Sequence, residues 1–190
     1  AVNDVCFVKT VFNFTGFDIS GNDSGLFQVI DPEAVITIQN ITFGSETAPI
    51  TGAPAGNGSN GVVFGKFKGK SVTFINCNSY VKMEKTDKAA MSAYVGQPDA
   101  VGSTYTFIDC NAYGSISGRN KNGGFVGNVN QADIVISFKN CVNNVNIKSG
   151  NQGNGGFVGH STKTGVVISF VDCVNNGNIT TENKGDGHTP

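Results

Sequence analysis

The chain has 190 residues and a formal net charge of -1, and charged residues make up only 14% of it. This near-neutral balance argues against nucleic acid or an acidic membrane surface as a partner. Because 14 phenylalanines are enough to build a core, the composition also argues against a disordered chain. No run of 18 apolar residues occurs, so no membrane-spanning segment is predicted.

Four copies of a Phe-x-x-Cys signature set the period of the chain. They end at Cys77, Cys110, Cys141 and Cys173, so the cysteines step by 33, 31 and 32 residues. A glycine-aromatic element lies between successive copies and is clearest at residues 123–127 and 155–159. A period of this length is typical of a solenoid, an array or a propeller.

The first two turns are the most diverged. Residues 8–11 align with the Phe-x-x-Cys position of the first turn and residues 38–41 with that of the second. Val and Ile replace Cys there, which indicates that this position faces a dry interior. Cys6 aligns with Ile136 and Ile168, which predicts an isolated core thiol.

Within each repeat, three short segments alternate apolar and polar residues with period 2, as strands do. The sequence therefore predicts one all-β domain over residues 1–190, a parallel β-helix of about six coils with three short strands per coil. Its repeats run to about 31–37 residues. A propeller fits worse, because a blade needs four strands and usually about 40 residues or more.

Equivalent residues of successive coils are expected to stack into ladders along the axis. The predicted ladder residues are Phe74, Phe107, Phe125, Phe138, Phe157, Phe170 and the four signature cysteines. Stacked cysteines about 4.8 Å apart are close enough for disulfides Cys77–Cys110 or Cys141–Cys173, although their parallel side chains favour free thiols. The spacing does not suit zinc, and no metal or cofactor is predicted.

Glycine and asparagine are expected at the corners. The glycine pairs at 123–124 and 155–156 are expected to adopt positive φ. The asparagine pairs at 143–144 and 175–176 are expected to adopt left-handed conformations and to hydrogen-bond along a ladder.

A catalytic reading rests on two carboxylates. Asp109 and Asp172 share a register position two coils apart, roughly 9–10 Å, at the upper edge of the separation in inverting glycosidases. Asn76 and Asn140 hold the same position in other coils, which favours a corner ladder instead. The aromatic residues are expected to face inward, which leaves no aromatic groove for a sugar, and Arg119 is the only arginine.

The sequence also suggests where the protein acts. Candidate N-glycosylation sites occur at Asn13, Asn22, Asn40, Asn57 and Asn178, against roughly three or four sequons expected by chance. They suit an extracellular or cell-surface protein. After the corner at 180–187 no further strand motif or polar cap follows, which predicts a fragment of a longer repeat array that could associate end to end.

Loop variation gathers at one corner of the repeat. The variable segments are residues 46–60, 82–89, 117–122 and 148–154. Because insertions on one face of a solenoid often mark its binding face, these loops are candidates for contact with a glycan or a protein on another surface. A solvated edge without a partner is the alternative.

The pairing of Gly-Gly-x-x-Gly, at 123–127 and 155–159, with Phe-x-x-Cys resembles the repeats of polymorphic outer-membrane-type surface proteins. It is also similar to the GLUG-type repeats of surface adhesins. This resemblance implies a right-handed β-helix displayed outside the cell, although the polymorphic family often has Asn or another residue in place of Cys. The expected function is a non-enzymatic extracellular adhesin, stalk or filament segment. A polysaccharide-active lyase or glycosidase and a structural fibre or shell subunit are the alternatives.

Overall fold

A computed structural model describes residues 5–7, for which it gives the backbone alone, and residues 19, 23–52, 58–84, 90–150 and 153–181. The described residues form strands and no helix, so none of them builds a helix that could cross a bilayer. The strands stack in parallel as a β-solenoid, which confirms the predicted fold class. Four complete turns lie between Val35 and Ser161 within the described part, with partial turns on either side.

Three parallel sheets form the walls of the solenoid. Sheet 1 comprises β1 (Val5–Phe7), β3 (Val35–Gln39), β8 (Ser71–Ile75), β12 (Thr104–Ile108), β15 (Val135–Lys139) and β18 (Val167–Val171). Sheet 2 comprises β4 (Thr42–Phe43), β5 (Ile50–Gly52), β9 (Asn78–Glu84), β13 (Asn111–Gly118), β16 (Val142–Ser149), β19 (Val174–Asn175) and β20 (Ile179–Thr181). Sheet 3 comprises β2 (Phe27–Val29), β7 (Phe64–Phe67), β11 (Val95–Pro98), β14 (Val126–Val129) and β17 (Val158–Ser161). At the corner between sheets 2 and 3, β6 (Ser59–Gly61) pairs with β10 (Ala90–Ser92).

The strands of sheet 1 form where apolar residues alternate with serine and threonine. In β12, Tyr105 and Phe107 are buried, whereas Thr104 and Thr106 lie on the outer face. β12 pairs residue for residue with β8 on one side and β15 on the other, so equivalent residues of successive turns lie next to each other. A shift of one residue in the pairing would turn every apolar side chain of the strand outward. Burial of these side chains therefore fixes the register.

Two columns of aromatic rings fill the interior. Phe74, Phe107, Phe138 and Phe170 stack face to face with centroids 4.9–5.2 Å apart. Tyr94, Phe125 and Phe157 form a second column with centroids 5.0 Å apart. The columns meet edge to face at 5.1–5.5 Å, a geometry that aromatic pairs favour. The predicted phenylalanine ladder residues therefore all belong to these two columns.

A column of left-handed residues turns the chain from sheet 1 into sheet 2. Asn40, Asn76, Asp109, Asn140 and Asp172 all have φ between 50° and 58°. Asn and Asp tolerate this conformation better than other non-glycine residues, which explains why they alone occupy the position. The side chains also pair along the axis: the amide of Asn76 donates to Asn40, and that of Asn140 to Asp109, both at 2.9 Å.

The asparagine pairs at 143–144 and 175–176 do not adopt the left-handed conformation that the sequence predicted. They lie in or next to the strands of sheet 2 instead, because the left-handed turn comes earlier, immediately before the cysteine. They do bond along the axis. The Asn143 amide donates to Asn175 at 2.7 Å, and the Asn176 amide donates to Asn144 at 3.0 Å.

The glycine pairs at 123–124 and 155–156 do not adopt positive φ either, so that prediction is wrong. Glycine is needed there for space. A Cβ on Gly124 would collide with the Gly156 carbonyl oxygen and with the buried side-chain oxygen of Asn143. A Cβ on Gly156 would collide in the same way with Asn175, one turn further on.

The first turn is shifted by one residue from its predicted alignment. Val5 pairs with Ile36, Cys6 with Thr37 and Phe7 with Ile38. Phe7, and not the following valine, therefore takes the phenylalanine position, and Cys6 does not share the position of Ile136. The predicted alignment rests on the apolar spacing of residues 8–11, which lie outside the described residues.

Candidate functional site

The cysteine ladder is a packing feature. Cys77, Cys110 and Cys141 are buried, Cys173 is half-buried, and all four are free thiols. Each thiol donates to the carbonyl oxygen two residues earlier, at 3.2–3.3 Å. Thiol contacts with Cys141 and Cys77, together with burial, raise the pKa of Cys110. The same contacts with Cys110 lower the pKa values of Cys77 and Cys141. The protonated, buried thiol of Cys110 is a poor nucleophile and a poor metal ligand.

The two carboxylates considered for catalysis belong to the left-handed corner. Asn140 lies between Asp109 and Asp172 in the column, and its amide donates to the Asp109 carboxylate at 2.9 Å. No cluster of three or more His, Cys, Asp or Glu side chains suited to a metal ion occurs among the described residues. This position is therefore a corner ladder, the reading that the alternation of Asn and Asp favours.

The candidate glycosylation sites divide into two groups. Asn13, Asn22 and Asn57 lie outside the described residues. Asn40 and Asn178 are exposed.

The variable corner is only partly described. Residues 53–57, 85–89 and 151–152 lie outside the described part. The ends of β9, β13 and β16 reach into the variable segments at 82–89, 117–122 and 148–154, respectively. In the first variable segment, residues 45–49 form a tight turn. The Ser45 N–H donates to the Ala48 carbonyl oxygen, and the Ala48 N–H donates to the Ser45 hydroxyl, both at 3.0 Å.

This turn forms one wall of a groove over the outer face of sheet 2. The groove has a volume of about 520 Å³, within the usual range of ligand pockets, about 300–1,000 Å³. Its floor consists of outward-facing residues of β9, β13 and β16. The side chains that define it are Tyr80, Lys82, Tyr113, Ser115, Asn144 and Asn146, with Glu46 and Pro49 on the wall.

Two tyrosines form the aromatic part of the groove. Tyr80 and Tyr113 stack with ring centroids 4.7 Å apart and planes 14° from parallel. Burial, and to a lesser extent the neighbouring Tyr80, raises the pKa of Tyr113. The expectation that the aromatic residues face inward is wrong for this pair.

The sequence carries the signal for these tyrosines. Each lies three residues after a signature cysteine, Cys77 or Cys110, whose thiol points inward. Since side chains alternate along a strand, an odd offset places the tyrosine on the outer face. In the next two turns the same position holds Asn144 and Asn176.

Asparagine amides surround the tyrosine pair. Asn111 donates to Asn78 at 3.0 Å on one side of the pair. On the other side, Asn146 accepts the Asn178 backbone N–H at 3.0 Å. Amides both donate and accept hydrogen bonds and carry no charge, so this surface suits a ligand rich in hydroxyl groups.

Gly114 lies beside Tyr113 in the lining of the groove. Its φ is +110°, and a Cβ there would collide with the Val81 carbonyl oxygen of the adjacent strand. Only glycine meets both conditions. Glycine is therefore required at position 114, where the neighbouring turns have Val81 and Val145.

No model of a known protein family, no curated protein and no solved structure matches this chain. Function is therefore inferred from the fold and from the side chains of the groove. Stacked rings, uncharged amides and a volume of about 520 Å³ together suit an uncharged, polar ligand with a flat apolar face.

Proposed function

We propose that this chain is a non-enzymatic segment of an extracellular surface β-solenoid, an adhesin or stalk, that holds a carbohydrate in the groove of sheet 2. The observation that carries the proposal is the stacked pair of Tyr80 and Tyr113 between asparagine amides. A pyranose ring has a C–H face that packs on the electron-rich face of an aromatic ring. Its hydroxyl groups exchange hydrogen bonds with amides.

The rigidity of the floor supports a binding role. β13 pairs with β16 from Asn111 to Gly118 and with β9 from Asn111 to Ser117. Tyr113 is thus held by backbone hydrogen bonds on both sides. A preformed surface loses little conformational entropy when a ligand binds, which favours affinity.

The charges of the groove favour binding over hydrolysis. Glycoside hydrolysis uses two carboxyl groups that flank the scissile bond. Glu46 is the one carboxylate among the described residues that line the groove. The resemblance of the Gly-Gly-x-x-Gly and Phe-x-x-Cys repeats to surface adhesin repeats favours the same reading.

Calorimetric titration of the protein with a panel of soluble oligosaccharides tests the binding role. We expect saturable binding of at least one oligosaccharide, weakened at least tenfold by Tyr113→Ala and unchanged by Thr106→Ala on the outer face of sheet 1. Circular dichroism verifies the fold of both variants. Unchanged affinity in Tyr113→Ala, or no binding anywhere in the panel, would contradict the proposal. Release of reducing ends from a bound oligosaccharide would replace it with the polysaccharide-active enzyme.

The proposed extracellular location is tested separately, on the native protein in its source cells. Antibody against this chain should label intact cells as strongly as permeabilised ones. Enzymatic removal of N-glycans should lower the mass of the native protein. Labelling only after permeabilisation would contradict an extracellular role.

A further inference from the structure

The tyrosine stack ends abruptly within the groove. Along the solenoid axis, one face of the Tyr113 ring covers Tyr80, and the register neighbour on the opposite side is Asn144. The next residue in the column is Asn176. Because an asparagine side chain is much shorter than a tyrosine side chain, the second face of the Tyr113 ring borders open space above Asn144.

This space has hydrogen-bond donors at its base. Asn144 accepts from the Asn176 amide at 3.0 Å through its own side-chain oxygen, which directs its NH₂ group away from that bond. Asn146 likewise uses its oxygen to accept the Asn178 N–H. Among the described residues, neither NH₂ group of Asn144 and Asn146 has a protein partner, and both side chains are accessible. Because both residues line the groove, two amide donors are available to a ligand there.

The charges around the groove nearly cancel. Lys82 and Glu46 are the charged residues of the described lining, and they are of opposite sign. Acidic sugars are usually held by clusters of arginine or lysine, which pair with carboxylate or sulfate groups. The one arginine of the chain, Arg119, is not part of the lining. The groove is therefore matched to a neutral ligand.

We propose that a neutral pyranose ring completes the stack, with its C–H face on Tyr113 and its hydroxyl groups on the amides of Asn144 and Asn146. The sugar takes the place that a third tyrosine would occupy in this column. The inference rests on the proposed carbohydrate-binding function and specifies its ligand class and its pose. The ligand is then an uncharged glycan such as a glucan or an N-acetylglucosamine polymer, and uronate polymers are excluded.

The decisive variant fills the space beside the Tyr113 ring with a side chain of the protein itself. Asn144→Tyr extends the ladder with a third ring on Tyr113, which should leave the fold intact and lower the affinity for the ligand at least tenfold. The matched control, Thr106→Tyr, adds the same ring to the outer face of sheet 1 and should bind as the wild type does. The probes are neutral hexasaccharides, cellohexaose and chitohexaose, with a hexamer of galacturonate as the acidic comparison. Binding of the neutral probes should change little between low and high salt, because no ion pair is involved.

A second measurement tests the stacked pose even if Asn144→Tyr fails to fold. In the wild-type protein, ring-current shielding by Tyr113 should move ring C–H protons of the bound hexasaccharide upfield. The shift should disappear in Tyr113→Leu. Loss of binding in Tyr113→Ala with full binding in Asn144→Tyr would overturn the stacked pose and leave the binding function standing. Binding of the galacturonate hexamer alone would overturn the neutral ligand class, and failure of every probe to bind would overturn both proposals.

Discussion

The solenoid contains two kinds of aromatic stack with nearly the same geometry. Inside, Phe107 and Phe138 stack at 5.0 Å and are at most 1% exposed. Outside, Tyr80 and Tyr113 stack at 4.7 Å on the surface of sheet 2. Both spacings follow from the distance between adjacent strands. What differs is the second neighbour: the inner rings are also covered by the other aromatic column, whereas the tyrosines border a groove.

This comparison separates stability from binding. An inner ring removed from water contributes to the free energy of unfolding. An outer ring of the same geometry should contribute little to stability and, in the proposed function, offers its face to a ligand. The predictions below test that division, from the largest expected effect to the smallest.

Phe138→Ala should have the largest effect. The Phe138 ring contacts Phe107, Phe125, Phe157 and Phe170 within 5.4 Å between centroids, so its loss leaves a cavity in the middle of both columns. We expect a loss of about 3–5 kcal/mol in the free energy of unfolding, measured by chemical denaturation. Tyr113→Ala is the outer control and should cost far less. A loss below about 1 kcal/mol would place Phe138 outside the core.

Gly124→Ala should be the next most costly change. The added Cβ would collide with the Gly156 carbonyl oxygen and with the Asn143 side chain, so the inner packing must shift. We expect destabilisation of about 1–3 kcal/mol, measured by chemical denaturation. At Gly150 a Cβ meets nothing within 4 Å, so Gly150→Ala provides the control and should be close to neutral. Equal stability of the two variants would refute a spatial role for the glycine pair.

Tyr94 should make the fold sensitive to alkali. Its hydroxyl lies 2.8 Å from the Cys77 carbonyl oxygen and 2.6 Å from that of Asn111, and it shares one proton between them. Burial, and to a lesser extent the nearby thiols, raises the pKa of Tyr94 well above the ordinary value of 10.0. The folded state therefore keeps a proton that the unfolded chain releases, so this contribution is complete below pH 10 and is lost as the pH rises further.

Tyr94→Phe tests this dependence. At neutral pH the variant should lose about 0.5–1.5 kcal/mol, because the carbonyl oxygens of Cys77 and Asn111 lose the hydrogen bond from the Tyr94 hydroxyl. The stability difference between wild type and variant should stay constant up to pH 10 and shrink above it, as followed by denaturation at a series of pH values. A stability difference that does not shrink above pH 10 would mean that the pKa of Tyr94 is not raised in the folded protein.

The smallest effect belongs to the tyrosine pair itself. A double-mutant cycle with Tyr80→Ala and Tyr113→Ala should give a coupling free energy of about 0.5–1 kcal/mol, as expected for a cross-strand aromatic pair. The same two substitutions should strongly weaken oligosaccharide binding. A coupling of several kcal/mol would show that the outer stack is a stability element like the inner one.

Much of the fold was predictable because it repeats. The Phe-x-x-Cys copies set the period. Six positions after each cysteine the sequence has an apolar residue, and these four residues, Met83, Ile116, Ile147 and Ile179, share one register. Because equivalent residues stack on each other, each turn repeats the same sequence pattern. The first turn, which lacks the signature, was misaligned by one residue.

The groove was less predictable, because it depends on departures from the repeat. The outward direction of Tyr113 follows from its odd offset from Cys110, and the sequence could have indicated it. The groove itself requires the turn at 45–49 to lie over sheet 2, a tertiary contact with no local signature. The role of Gly124 was missed for the same reason: the Asn143 side chain that excludes a Cβ comes from a different sheet.

The exact register between successive turns has a consequence for how the molecule can change. Because β12 pairs residue for residue with both β8 and β15, one turn can take the place of its neighbour with the register of sheet 1 unchanged. Deleting or duplicating one whole period of about 32 residues should therefore preserve the core, whereas removing half a period would not. The number of turns can therefore change in whole-turn units while the two tyrosines stay in adjacent turns, so the length of the solenoid can change without disturbing the tyrosine pair.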